Sequence, residues 1–230
     1  MRRLDFYIIL TADGLYADPD GGLGHYEPGE DEHRFANDLL RDAGAVVMGR
    51  GMYDVMEYWD TVDIDDRATP EVRREYARLW RETPKWVVSR GRPALRANAT
   101  QVAGDVVEAV RALKATDGPD LQLGCGADLL ATLGEAGLID TYRLLITTTV
   151  LGQGKAMFGS FREPLSFRLT GTRTFASGSV QLEYEWLRWL EFARIGSPGR
   201  RPIESNDWEN AVAGTARGGD RHRPDRARPR

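Results

Sequence analysis

The chain has 230 residues, 41% of them hydrophobic and 29% charged, which suits one sizeable domain with a buried core and is ordinary for a globular protein. The net charge is −4, but Gly196 to Arg230 holds eight arginines against five acids; the body before it is therefore strongly acidic, which argues against a nucleic-acid binder. The single cysteine, Cys125, excludes an intrachain disulfide and suits a reducing compartment.

The apolar run Phe6 to Leu10 is too short for a signal-peptide core, and Asp13 follows at once. No apolar stretch reaches the length of a membrane span. A cytoplasmic protein is expected. Leu4 to Leu10 is rich in strand formers and reads as a central strand. It runs into the turn Thr11-Ala12-Asp13-Gly14 and a polar, glycine-rich loop of the length that is usually functional. Phe35, Leu39, Leu40 and Ala43 recur at helical spacing, so a helix is predicted over about 31–42, with acids in its first turn.

Ala45 to Met48 is an apolar run that breaks at Gly49 into a segment bearing Arg50 and Tyr53. A strand that opens a helix through glycine exposes backbone N–H groups, and an arginine beside them suits a phosphate. The same pattern also fits an ordinary strand–turn–helix junction. Thr61 to Thr69 reads as an acidic loop, and Pro70 opens a helix that runs to about Glu82. Lys85 to Arg90 reads as a strand ending at Ser89-Arg90, Asp105 to Ala115 as a helix, and Leu121 to Leu123 as a short strand closing on Gly124-Cys125-Gly126. A helix over Asp128–Ala136 stops at Gly137. Tyr142 to Leu151 reads as one long strand, ending before Gly152-Gln153-Gly154-Lys155.

Alternation then takes over. Phe167 and Leu169, and Val180 through Trp186, flank Ser177-Gly178 as an antiparallel hairpin. The fold class expected is α/β, a mostly parallel sheet flanked by helices with an antiparallel C-terminal hairpin. The domain is expected to span 1–195, with a disordered Arg/Pro/Gly-rich tail over 196–230. Trp186, Leu187, Trp189, Leu190 and Phe192 are too apolar to face water; they continue the last strand, pack as a short helix, or meet a second subunit.

Six stretches in order resemble the dihydrofolate-reductase-like family. They are the Asp-Gly turn after the first strand, Val-Val-Met-Gly-Arg-x-x-Tyr, Val-Val-Ser-Arg, Gly-Cys-Gly-Ala-Asp-Leu-Leu-Ala-Thr-Leu, Gly-Leu-Ile-Asp-Thr-Tyr-Arg-Leu and Val-Leu-Gly-Gln-Gly-Lys-Ala-Met-Phe. Within that family they look most like the reductase domain of the bifunctional deaminase-reductase of riboflavin biosynthesis and its stand-alone relatives. The resemblance covers about Arg3 to Glu185 and implies NADPH as cofactor.

Carried onto this sequence, it implies that Ala12 and Gly14 lie beside the nicotinamide, and that Gly49, Arg50, Tyr53, Ser89 and Arg90 hold the phosphates. It implies that Gly124, Cys125, Gly126, Ala127, Asp128 and Leu129 cradle the pyrophosphate. A guanidinium fork and a hydroxyl suit a 2′-phosphate and would favour NADPH over NADH. The resemblance also implies a carboxylate on the first helix that holds the substrate, at Asp31 or Glu32, although acids in a first turn are expected for dipole reasons alone. Asp13 is the favoured catalytic residue, with Glu32 beside it; Asp13 also fits a turn cap. Gly152 and Lys155 fall at the far side of the substrate cleft, where Lys155 either binds a substrate phosphate or points into water.

Two departures stand out. Cys125 replaces the first of two paired glycines, where a Cβ would crowd a pyrophosphate, and Ala12 replaces a leucine, which leaves room near the nicotinamide. No metal is expected, since His25, His33 and His222 lack ligand spacing. The function expected is an NADPH-dependent reductase of a C=N or C=O bond in a small heterocyclic substrate. The alternatives are the pyrimidine reductase of riboflavin synthesis and a nucleotide-binding protein without turnover. A homodimer is compatible with the apolar stretch; no nucleic-acid or membrane partner is expected.

Overall fold

A computed structural model describes residues 1–96 and 98–187. The tail from Gly196, the boundary at 195, and Trp189, Leu190 and Phe192 of the apolar stretch lie outside the described residues.

The chain opens with β1 (Leu4–Leu10), whose alternate residues Leu4, Phe6, Ile8 and Leu10 are buried. A short β2 (Leu15–Ala17) follows, then α1 (Glu30–Asp42). The Glu32 carboxylate accepts the Gly29 N–H at 2.6 Å, the acidic half of a capping box at the start of α1. Next come β3 (Ala45–Gly49), α2 (Arg50–Met56), α3 (Tyr58–Thr61) and α4 (Glu71–Glu82), with Pro70 as the residue that caps α4. β4 (Lys85–Val88) and β5 (Ala99–Val102) lead to α5 (Val106–Ala115), capped by Asp105, whose side chain accepts from the Val107 and Glu108 N–H groups. β6 (Leu121–Gly124), α6 (Ala127–Glu135), β7 (Thr141–Ile146), β8 (Lys155–Ala156), β9 (Ser166–Thr174) and β10 (Val180–Leu187) complete the order.

Eight strands form one sheet in the order β5-β4-β3-β6-β1-β7-β10-β9. Pairing is parallel from β5 through β7. It turns antiparallel only at β7–β10 and β10–β9. This is the α/β architecture expected from the sequence. The main core sits around Phe6, Leu121, Leu123, Leu130 and Tyr142, and a second cluster gathers around Leu40, Tyr53, Trp80 and Val87. Because the central strands run parallel, Leu10, Gly49, Val88 and Gly124 all end on one edge of the sheet, where α/β proteins place their ligands. Among the described residues no helix is long and apolar enough to cross a membrane.

The predicted long strand 142–151 ends early. β1 stops at Leu10 and β10 begins opposite Ile146, so the chain past Ile146 has no ladder partner. Thr149 instead accepts the Ala12 N–H at 2.7 Å, which ties it to the turn after β1. β2, β5 and β8 escaped the pattern because they are two to four residues long.

Candidate active site

A cleft of about 720 Å³ opens at that edge. Tyr7 and Ile9 from β1, Met48 from β3 and Gln122 and Gly124 from β6 line it from the sheet. Glu32, His33 and Ala36 of α1 and Tyr76 and Trp80 of α4 line it from the helices, and the loop from Leu23 to Pro28 also contributes. The lining is an aromatic box: Trp59 packs on Tyr76 with centroids 4.5 Å apart, and His33 meets Trp59 edge-on at 5.5 Å.

Glu32 is the buried charge of this cleft, only 1% exposed. One carboxylate oxygen accepts from Tyr26 and from the Ser177 hydroxyl, and the other accepts the Gly29 N–H. Burial pushes its carboxyl up, but the hydrogen bonds from Ser177, Tyr26 and Gly29 outweigh that and leave it below the ordinary range, hence ionised. Burial, reinforced by the charges on Tyr76 and Glu32, holds the Tyr7 phenol far above its usual range. Desolvation and the neighbouring Arg73 hold the His33 imidazole below its usual value, hence neutral. The cleft thus presents one carboxylate among neutral phenol and imidazole groups.

The turn from β6 into α6 adjoins the cleft. Gly126 caps α6 without a side chain, which leaves the first N–H groups of the helix to outside partners, and the Tyr16 hydroxyl faces that of Ala127. A Cβ on Gly126 would come 3.2 Å from the Tyr16 hydroxyl, and one on Gly124 would meet Met48 and Met52 at 3.5 and 3.6 Å. Cys125 is fully buried in the main core, and burial pushes its thiol up. Its side chain therefore does not crowd the turn, as the sequence had suggested it would; only its backbone can face a ligand. Gly49 abuts the same turn, since a Cβ there would lie 3.5 Å from Leu129 and 3.7 Å from Cys125. On the other side of the turn lies a second cavity of about 540 Å³, lined by Ser89, Arg90, Gln101, Asp128 and Leu129. The turn is therefore a wall shared by both spaces.

NADPH fits this arrangement. The open glycine turn and helix N-terminus suit a pyrophosphate, and Ser89 and Arg90 suit a further phosphate beyond it. Arg90 makes no ion pair among the described residues, so its fork is free. Ala127 offers its backbone, and the Asp128 carboxylate is engaged by the Ser160 hydroxyl at 2.7 Å.

Several predicted residues stand elsewhere. Tyr53 is buried in the second core cluster, and its hydroxyl accepts the Arg96 N–H at 3.1 Å, so it packs instead of binding a cofactor. Arg50 is locked on the surface in a two-point pair with Asp54, at 2.8 and 2.6 Å. Asp31 faces the hairpin turn, where it accepts the Ala176 N–H at 2.9 Å, and this bond holds its carboxyl low. Asp13 is exposed and outside the cleft lining; its carboxylate accepts the N–H groups of Gly152 at 2.7 Å and Leu151 at 3.3 Å. The Thr11 hydroxyl and the Gly152 N–H hold it below the usual carboxylate range, which disqualifies it as a resting proton donor. Gly14 and Gly152 take the left-handed conformation at φ +79° and +76° that these two turns demand. Ala12 is exposed, and Lys155 lies beside Gly21 outside the cleft lining.

The aromatic box itself was missed. Tyr7 stands on the second face of an alternating strand, and Tyr76 falls at four-residue spacing between the buried Val72 and Trp80 of α4; these were the available signals. His25 and His33, distant from a ligand pattern in sequence, both reach the cleft. Tyr26, Ser177 and Ser179 carried no signal, because the pairing of α1 with the hairpin turn is long-range.

Residues 4–181 match the family of the RibD C-terminal domain. The uncharacterized protein YyaP of Bacillus subtilis (strain 168) is 29% identical over 185 residues, covering 80% of this chain and 95% of that one. Among solved structures, a putative riboflavin biosynthesis protein from Shewanella sp. PV-4 superposes with a TM-score of 0.62 at 21% identity, covering 82% of this chain and 100% of that one. A dihydrofolate reductase from Enterococcus faecalis complexed with NADP(H) superposes with a TM-score of 0.53 at 11% identity, covering 80% of this chain and 96% of that one. With 4–181 matched by the family and these structures superposing over most of their length, the chain belongs to the RibD C-terminal domain family and has the dihydrofolate-reductase-like fold.

Proposed function

We propose that this protein is an NADPH-dependent reductase that delivers hydride to a C=N or C=O bond of a small planar substrate held in the aromatic cleft. The observation that carries the reading is the junction between β6 and α6: Gly124 at the end of β6 lines the cleft, while Asp128 and Leu129 at the start of α6 line the cavity of Ser89 and Arg90. One extended dinucleotide laid over that turn spans both spaces, with its phosphates at the open N–H groups and at Arg90, and its reactive end beside the substrate.

Bound NADPH supplies the hydride from its nicotinamide ring; the protein supplies position and a proton. Gly124 and Gly126 keep the backbone close to the cofactor. Tyr7, Trp59 and Tyr76 hold a flat ring and exclude water from the reacting face. Glu32 is held by Tyr26, Ser177 and Gly29, with Ser179 adding to that network, and it brings a fixed negative charge to the cleft that would orient an N–H of the substrate. Being ionised, it orients and does not donate. Among the neutral groups that line the same space are those of Tyr7, His33 and Tyr76, and one of them, or a water they hold, protonates the product anion.

Titration of the full chain with NADPH and NADH, followed by nicotinamide fluorescence, tests the reading. Tight binding of NADPH with weaker NADH is expected, followed by cofactor oxidation with a heterocyclic or carbonyl acceptor. No binding of either nucleotide overturns the proposal. Binding without oxidation by any acceptor points instead to a nucleotide-binding protein without turnover.

A further inference from the structure

We infer that the cleft takes a planar, uncharged or cationic heterocycle that carries no phosphate group. This rests on the reductase reading for its setting and adds the substrate class.

The charge around the cleft carries the inference. Among its lining residues are three carboxylates, Glu27, Glu30 and Glu32, against a single guanidinium, Arg73, and no lysine. That guanidinium is already engaged: it lies 3.5 Å from the Glu27 carboxylate and donates to the Tyr58 hydroxyl at 2.5 Å. The neighbouring Arg34 is likewise taken, by Glu30 at 2.5 Å. A phosphate dianion on a ligand in this cleft would meet like charge at the buried Glu32, where water is thinned and repulsion is strong, and a weaker, screened repulsion from the exposed rim acids Glu27 and Glu30, while Arg73, the one guanidinium in the lining, already faces Glu27 and Tyr58.

The contrast with the neighbouring cavity sharpens the point. There Arg90 makes no ion pair among the described residues and stands with the Ser89 hydroxyl, a pair suited to phosphate; the Gln101 amide donates to the Ser89 and Gly91 carbonyls, and the one carboxylate, Asp128, is engaged by Ser160. Lys155 sits beside Gly21 and not in the cleft lining. The unpaired guanidinium thus lies on the cofactor side, while the substrate side carries three carboxylates and the aromatic faces. Tyr7, Trp59 and Tyr76, with Met48, Met52 and Met56, offer flat and polarizable surfaces to a ring. A ribosyl-phosphate pyrimidine of the kind reduced in riboflavin synthesis lacks a seat for its phosphate here.

The test uses the full chain saturated with NADP⁺, so that the second cavity is filled, and a panel of ring pairs with and without a phosphate. The pairs are 5-amino-6-ribosylaminouracil and its 5′-phosphate, and riboflavin and riboflavin 5′-phosphate, joined by phosphate-free pteridines and quinones. Binding is read by calorimetry. At least one phosphate-free ring is expected to bind, and in any pair that binds, the phosphate-free member is expected to be tighter by about tenfold or more. The rim double variant Glu27→Gln/Glu30→Gln is expected to narrow the gap within a pair, strengthening the phosphorylated member by about threefold relative to its phosphate-free partner. Equal or tighter binding of a phosphorylated member overturns the inference, as does the absence of any phosphate-free binder in the panel. Failure of NADP⁺ to bind while a phosphate-free ring still does would sink the reductase reading and leave this inference standing.

Discussion

The carboxylate of Asp13 accepts the backbone N–H of Gly152 at 2.7 Å, joining the turn after β1 to the loop after β7 across 139 positions of sequence. Both turns lie outside the cleft lining, and both are built on glycines in the left-handed conformation. Asp13 is thus a latch between two loops. Asp13→Asn keeps one acceptor for Gly152 and should change KM and kcat by about tenfold at most, short of the ~10²–10⁴-fold loss that follows removal of a proton-transferring group. Steady-state kinetics decide this; a loss in kcat alone beyond a hundredfold, with KM unchanged, would return Asp13 to the chemistry.

Arg90 and Arg50 look alike in sequence, each just past a strand end, and differ in the fold. Arg50 is consumed by Asp54, whereas Arg90 faces the second cavity. A lost charge-assisted hydrogen bond costs about 1.5–3 kcal/mol, so Arg90→Ala should weaken NADPH by roughly 10- to 100-fold and leave NADH nearly unchanged. Arg50→Ala should alter neither by more than a few-fold. Parallel fluorescence titrations of the two variants make the comparison, and the reverse ranking would mean that Arg50 leaves Asp54 for the cofactor.

Glu32 links the cleft to the stability of the fold. Its folded carboxyl lies below the unfolded value of 4.5. The unfolded chain therefore takes up a proton first as pH falls, and native stability drops. The contribution of Glu32 is complete above pH 4.5 and is lost as pH falls through its lower folded value. Glu32→Gln should be less stable than the parent at neutral pH and should show a shallower decline in acid. Denaturant midpoints across that range measure it, and parallel acid limbs would refute the linkage.

How far the sequence could be read follows from where each signal lies. β1 and α4 carry their own periodicity, because burial repeats along a single segment, and β3 is an unbroken apolar run that stops at glycine. The glycine turn 124–126 and Ser89-Arg90 were legible for the same reason: each is a local break at a strand end. Tyr53 misled because a motif position gives spacing and not direction; at that place on α2 its ring turns toward Trp80, 6.3 Å away between centroids. The cleft was invisible since Tyr7, Trp59 and Tyr76 arrive from three separate elements. The bonds from Ser177 and Ala176 to α1 span 145 positions, and no local pattern encodes them.

Gly154 tests the small sheet beside the cleft. A Cβ there would lie 2.3 Å from the Ala17 carbonyl oxygen, a backbone atom that cannot swing aside. Gly154→Ala must therefore break the β2–β8 pairing or shift it, a cost of about 1–3 kcal/mol for forced overpacking. Amide exchange at Leu15–Ala17 should quicken while β1 stays protected, since the pairing is local. Unchanged exchange at those amides would mean that the loop absorbs the methyl group.

Lys85 gives the alkaline counterpart. It is 2% exposed, donates to the Trp80 and Thr83 carbonyls, and lies 4.1 Å above the Trp80 ring. Burial pushes its ammonium down from 10.5 to about 8, with the Asp60 charge opposing. Below pH 8 both folded and unfolded chains hold the proton, and the full burial cost is present. Between 8 and 10.5 the unfolded chain binds more protons than the folded one, so stability rises with pH. The total gain is on the order of 3 kcal/mol from this residue alone. Lys85→Met should flatten that rise relative to the parent, whatever it does at neutral pH, because the titrating group is gone while the other lysines and tyrosines remain. Unfolding by urea at several pH values over this window measures the difference in slope; equal slopes in parent and variant would show that Lys85 keeps its ordinary affinity for the proton.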